Sequence, residues 1–249
     1  MTETGHPERK LGPQTSPVPA STEASGEPAN LLERDPGTQA PTVQQAEQGI
    51  DAADRLERQL RFLVEADRLK TVMRKTRITD KSRFENSAEH SWHLALMAAV
   101  LAEHAPAGVD VAHALRLLLV HDLVEIDAGD FAWYDSTGNA GKLERERAAA
   151  ARLFGMLPSD QASELLACWE EFEGNQTAAA RFANALDRVQ PMLLTRYTRD
   201  GDWAFSSNDR ERLLQRMAPV EDGCPALWRR VTEIIEEAFA TGRYGRTPT

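Results

Sequence analysis

Four side chains in three separate stretches have the types and spacing of a metal centre. His121 and Asp122 are adjacent, Glu125 follows within a turn, and His90 precedes them in AEHSWHL. An imidazole beside a carboxylate suits a divalent cation. His90 can supply a third donor, and Asp187, far downstream in RFANALDRVQP, a fourth. If the four meet, the chain carries a centre that activates water for hydrolysis. On a helix, His121 and Asp122 point about 100° apart, and Glu125 lies on the face of both. All three interrupt the apolar run ALRLLLVHDLVEIDAG, where burial without a partner is costly. Each also has an ordinary reading. The His-Asp pair could be the polar edge of a helix end, and Asp187 an exposed acid paired to Arg188 or Arg181.

A second group is basic. Between Arg68 and Arg83 stand seven Lys or Arg residues, among them Arg74 and Lys75, against one acid, Asp80. This is either a solvated face or a local anion site, since the planar guanidinium fork matches phosphate. Trp133 and Tyr134, after Asp130, could stack a nucleobase or could anchor their loop to the core.

These groups need a scaffold. Leu56, Leu60, Leu63, Val64 and Leu69 recur at helical spacing, which predicts a helix over about 50–74. After the polar RITDKSRFEN, Ser87 opens a second helix with a face of Leu94, Met97, Ala98 and Leu101, ended by Pro106-Ala107-Gly108. A third follows Asp110 and carries Leu115, Leu118, Leu119 and Asp122-Leu123. Residues 126–140 read as a loop. Further helices are expected at about 141–155, 160–173, 177–199, 208–217 and 225–241. No stretch shows sustained β-branched alternation, so the fold class is all-α.

Composition sets the frame. Residues 1–49 hold seven of the thirteen prolines and no aromatic residue. Such a stretch buries too little apolar surface to offset the entropy of ordering its backbone. The expectation is a disordered tail over 1–48 and one helical domain over 49–245. The net charge of −10 argues against a nucleic-acid polymer or an anionic membrane as partner. The longest apolar run, Leu94 to Ala102, is too short to span a bilayer. The N-terminus lacks the apolar segment of a signal peptide, and Cys168 and Cys224 form no framework or CxxC pair. A soluble, cytoplasmic protein is expected.

The ordered series His90, His121-Asp122 and Asp187 on a helical scaffold resembles the HD-domain phosphohydrolase superfamily. Within it, RLKTVMR, ENSAEHSWHL, VHDLVEIDAGD and ALDR, over about residues 56–200, resemble the branch that contains the 5′-deoxynucleotidases. The resemblance implies one divalent metal held by His90, His121, Asp122 and Asp187. It implies that Glu125 and Asp130 act on water and leaving group, and that Arg74 contacts the substrate phosphate. The chain departs from that branch at Lys75, where a tryptophan-type residue is expected.

His121 is the last histidine of the chain. Members with two metals resemble one another in using extra histidines before the final aspartate, so one metal is expected here. Its identity among Mn, Co, Fe, Ni and Zn is open. The reading is thus a phosphomonoesterase acting on a nucleotide, with Glu125 and Asp130 catalytic and Arg74, Lys75 and Trp133 at the substrate. The alternatives are hydrolysis of nucleoside triphosphates or other phosphoesters, or a non-catalytic nucleotide-binding module. Family resemblance also points to a homodimer.

Overall fold

Most of the chain obeys its helical periodicity. The computed structural model describes residues 43–131, 135–197 and 209–241. The expected tail lies outside them up to residue 42, as does Trp133. Eleven helices are present among the described residues: α1 (Val43–Ala66), α2 (Ser87–Val100), α3 (Val111–Val120), α4 (Glu125–Ala128), α5 (Ser136–Asn139), α6 (Lys142–Phe154), α7 (Ser159–Gly174), α8 (Ala178–Tyr197), α9 (Arg210–Met217), α10 (Pro219–Gly223) and α11 (Pro225–Ala240). Their inward faces meet in one core, in which Leu94, Leu117, Leu118, Phe154, Phe182, Leu186 and Ile234 are almost wholly enclosed. Each such side chain contributes about 1.5–3 kcal/mol of burial. No described helix is long and apolar enough to cross a membrane.

The expected first helix is shorter at its C-terminal end and turned over. α1 stops at Ala66, a 3-10 turn covers Asp67–Thr71, and Met73–Arg77 is a strand, β1. Strand β1 pairs antiparallel with β2 (Phe84–Asn86), matching Met73 to Asn86 and Arg77 to Phe84 around an irregularity. Leu56, Leu60, Leu63 and Val64 point outward, 56%, 48%, 62% and 74% exposed; among the leucines of that pattern Leu69 is buried. The reason is what the opposite face offers. Arg55 clamps Asp160 through two 2.8 Å bonds. Arg58 donates to the carbonyls of Met156 and Leu157 beyond the end of α6, at 3.2 and 2.6 Å. A guanidinium beside the carbonyl end of a helix is favourable electrostatically. Phe62 completes this inner face.

Local signals set the helix that carries His90. Asn86 accepts from the Glu89 amide at 2.9 Å, and Glu89 accepts from the Asn86 amide at 3.3 Å, a reciprocal cap that starts α2. Arg83 grips the same Glu89 with bonds of 2.7 and 2.6 Å. Asp110 caps α3 through the His113 amide.

α10 lies directly on α8. A Cβ at Gly223 would stand 2.2 Å from the Arg181 carbonyl oxygen and 2.7 Å from the Ala185 Cβ. Only the missing side chain permits that approach.

Candidate metal centre

The expected single helix through His121 and Asp122 is broken. α3 ends at Val120, and His121–Val124 form a 3-10 turn before α4 begins at Glu125. The tighter winding of the turn changes the angle between successive side chains. It leaves His121, Asp122 and Glu125 all buried on the inner side. His90 comes from α2, fully enclosed, and its ring lies 5.9 Å from that of His121.

His90, His121 and Asp122 each offer a ligand atom within 4.8 Å of the others. Asp187 joins through His90, its Oδ1 2.9 Å from Nε2, while its side chain keeps 27% exposure. The tautomer of His121 is set by its backbone: Nδ1 donates to the Leu118 carbonyl at 2.8 Å. Phe172 of α7 packs against the ring at 4.5 Å. His121 Nε2 is buried without a hydrogen bond, although Asp122 Oδ1 is 2.9 Å away in an unsuitable direction. A buried imidazole nitrogen with no hydrogen-bond partner, beside carboxylates, fits a divalent cation that would take the place of its proton. The residues present therefore suit a metal.

The electrostatics agree. Burial disfavours the His121 cation, but the Asp122 carboxylate beside it prevails and lifts its pKa to about 9. Burial likewise opposes ionisation of Asp187, yet the His90 hydrogen bond and charge hold its carboxyl well below the usual range. Glu125 goes the other way: burial, then the charges of Asp122 and Asp130, push it well above an ordinary glutamate. Burial also raises Asp130, with Arg74 opposing. A concentration of carboxylates with one buried guanidinium is a place that gains from an added positive charge.

The remaining expected residues divide. Arg74 lies on the inner face of β1, its Nη1 3.3 Å from Asp122 Oδ2 and its Nε 3.7 Å from Glu85 Oε2. Strand alternation puts Lys75 on the outer face, exposed, so it is not brought to this group. Asp130 is half-buried just past Gly129, whose φ of 78° turns the chain at the end of α4.

Three neighbours escaped the sequence reading. Ser87 Oγ donates to Glu125 Oε2 at 2.7 Å. Glu85 and Gln190 are buried against His90. The signal available for Gln190 was its place one helical turn beyond Asp187. Nothing in the pattern marked Glu85.

Comparison with known proteins agrees with this geometry. The family described as HD domain matches residues 66–228. Human 5′-deoxynucleotidase HDDC2 is 33% identical over 135 residues, covering 54% of this chain and 65% of that protein. The Bos taurus protein of the same name is 36% identical over 110 residues, 44% of this chain and 52% of its own. The matched stretches thus span about half to two thirds of these relatives. A crystal structure of a predicted metal-dependent phosphohydrolase from Magnetospirillum magnetotacticum is 46% identical, with a TM-score of 0.72, covering 78% of this chain and 97% of that one. A conserved hypothetical protein from Pyrococcus furiosus, 23% identical with a TM-score of 0.52 over 72% of this chain, shares the fold. A family match over most of the chain, together with a relative covered almost end to end, settles the kinship: the chain belongs to the HD domain family.

Proposed function

We propose that this protein is a metal-dependent phosphohydrolase that removes phosphate from a nucleotide, as a 5′-deoxynucleotidase-like phosphomonoesterase. The observation that carries the reading is the convergence of His90, His121 and Asp122 within 4.8 Å, with a buried His121 nitrogen left unbonded. His90, His121, Asp122 and Asp187 would hold one divalent ion, from among Mn, Co, Fe, Ni and Zn. When bound, the ion would polarise the phosphoryl group and acidify water.

The protein side of the chemistry follows from the environments. Glu125, its proton affinity raised by burial and directed by Ser87, is suited to take a proton from the attacking water. Asp130, also raised, can retain a proton and pass it to the leaving alcohol oxygen. Arg74 can offer its fork to the phosphate, stabilising charge that develops there. A nucleotide substrate is supported by the names of the relatives at 33% and 36% identity. The two free cysteines, both buried, accord with a cytoplasmic location.

The test is a phosphate-release assay on a panel of nucleoside mono-, di- and triphosphates with each divalent metal in turn. Inorganic phosphate from monophosphates is the expected product. Release of pyrophosphate or triphosphate would replace this reading with a triphosphate hydrolase. Tight nucleotide binding without turnover in any metal would leave a binding module.

A further inference from the structure

Gln190 is wholly buried, and each polar atom of its side chain has a partner. Its Nε2 stands 2.6 Å from Glu85 Oε1 and 3.1 Å from His93 Nδ1. Its Oε1 stands 3.1 Å from His90 Nδ1. The order of this chain is imposed from its far end. A carboxylate only accepts hydrogen bonds, so Glu85 takes the amide nitrogen of Gln190 and leaves the amide oxygen for His90. An amide oxygen only accepts, so His90 must present a protonated Nδ1 to it. Nε2 is then the nitrogen that faces Asp187 and the group of ligand atoms.

We propose that Glu85 and Gln190 form a relay that holds His90 in one tautomer, with Nδ1 protonated and Nε2 turned toward the cation. Gln190 is thereby a positioning residue for the metal. The inference rests on the reading of the site as a metal centre and adds to it the means by which α8 and β2 orient a ligand of α2. The other imidazole, His121, reaches the same tautomer through a main-chain carbonyl. His90 sits inside a helix whose carbonyls are already used, so side chains do that work. The second oxygen of Glu85, unbonded and 3.6 Å from His90 Nδ1, lies too far to substitute directly. Partners of this kind typically govern metal affinity by about 10–100-fold.

Two variants test the relay, Gln190→Met, which keeps the bulk and removes the acceptor, and Glu85→Gln, which can donate as well as accept and so no longer fixes the amide. Two readouts are used. Ring-nitrogen shifts from two-bond proton–nitrogen correlations report which His90 nitrogen carries the proton in the Zn²⁺-loaded protein, where the cation takes the place of any proton shared between Nε2 and Asp187. Competition with a chelating dye reports the Kd for Zn²⁺. Wild type should show protonated Nδ1 alone. Gln190→Met should show mixed tautomers and a Kd raised about 10–100-fold, and Glu85→Gln a smaller change in the same direction. A protonated Nε2 in wild type overturns the relay. So does Gln190→Met with an unchanged tautomer and a Kd within about twofold of wild type. If Gln190→Met does not fold, Glu85→Gln decides by the same two outcomes. Failure of wild type to bind Zn²⁺, Mn²⁺ or Co²⁺ would sink the metal reading and the relay with it, whereas metal binding with a protonated His90 Nε2 would sink the relay alone.

Discussion

Ser87 Oγ donates to Glu125 Oε2 across 2.7 Å, joining residues 38 positions apart at the first turn of α2 and the first turn of α4. The bond aims a carboxylate that burial has made more basic. Removing the hydroxyl in Ser87→Ala should cost about 1 kcal/mol of orientation, roughly a fivefold fall in kcat. Glu125→Ala removes the base itself and should lower kcat by about 10²–10⁴-fold. Elemental analysis should find wild-type metal content in both proteins. Wild-type kcat in Glu125→Ala would take this residue out of the mechanism.

Asp122 serves two partners, His121 and Arg74. Asp122→Ala should lose metal and activity together. It should also lower the stability of the metal-free protein by about 3–5 kcal/mol, because two buried positive groups then lack their counter-charge. Urea unfolding in EDTA reads that second loss. Unchanged stability would mean that Arg74 finds another partner.

The pH dependence has a definite sign. The pKa of His121 in the metal-free fold, about 9, is above the roughly 6.5 of an unfolded histidine. Its contribution to stability is therefore full below about pH 6.5 and fades as pH rises through 9. Asp187 and Asp122, both lowered, act in reverse: their contribution is present above about pH 4 and is lost on acidification. Cation binding must displace the His121 proton, so apparent affinity should climb with pH and level off above about 9. Denaturation in EDTA and calorimetry in buffers of different ionisation enthalpy measure the two effects. Affinity that is flat with pH would contradict the assignment of His121.

The two faces of α1 can be told apart by stability. Phe62→Ala should cost about 3–5 kcal/mol, as for other enclosed aromatic residues. Leu60→Ser, on the outward face, should stay within about 0.5 kcal/mol of wild type. Equal losses in the two variants would show the helix turned the other way.

The pattern of residues foretold much of this arrangement, and the failures have physical causes. Helix starts are set by capping, a local effect, so the beginnings of α2 at Ser87 and of α3 after Asp110 were legible, although the cap of α2 is Asn86 and not Ser87. His121 and Asp122 were legible because polar groups stood out within an apolar run, and His90 through its place in the ordered series of motifs; the fold does bring the three together. The facing of α1 was not, since periodicity marks an apolar stripe and cannot say that arginines opposite it will find carbonyls and a carboxylate. Strand β1 was missed because MRKTR alternates by burial without alternating in polarity. Glu85, Ser87 and Gln190 come from separate elements and show their purpose only once those elements meet.

Gly223 touches none of the chemistry, yet it decides how near α10 settles on α8, and its contact at Ala185 is two residues from Asp187. A single methyl group there would act as a wedge. Displacing α8 by even about 1 Å can cost a site 10²-fold in rate. The centre is therefore vulnerable from behind, through a position that a survey of polar residues would pass over.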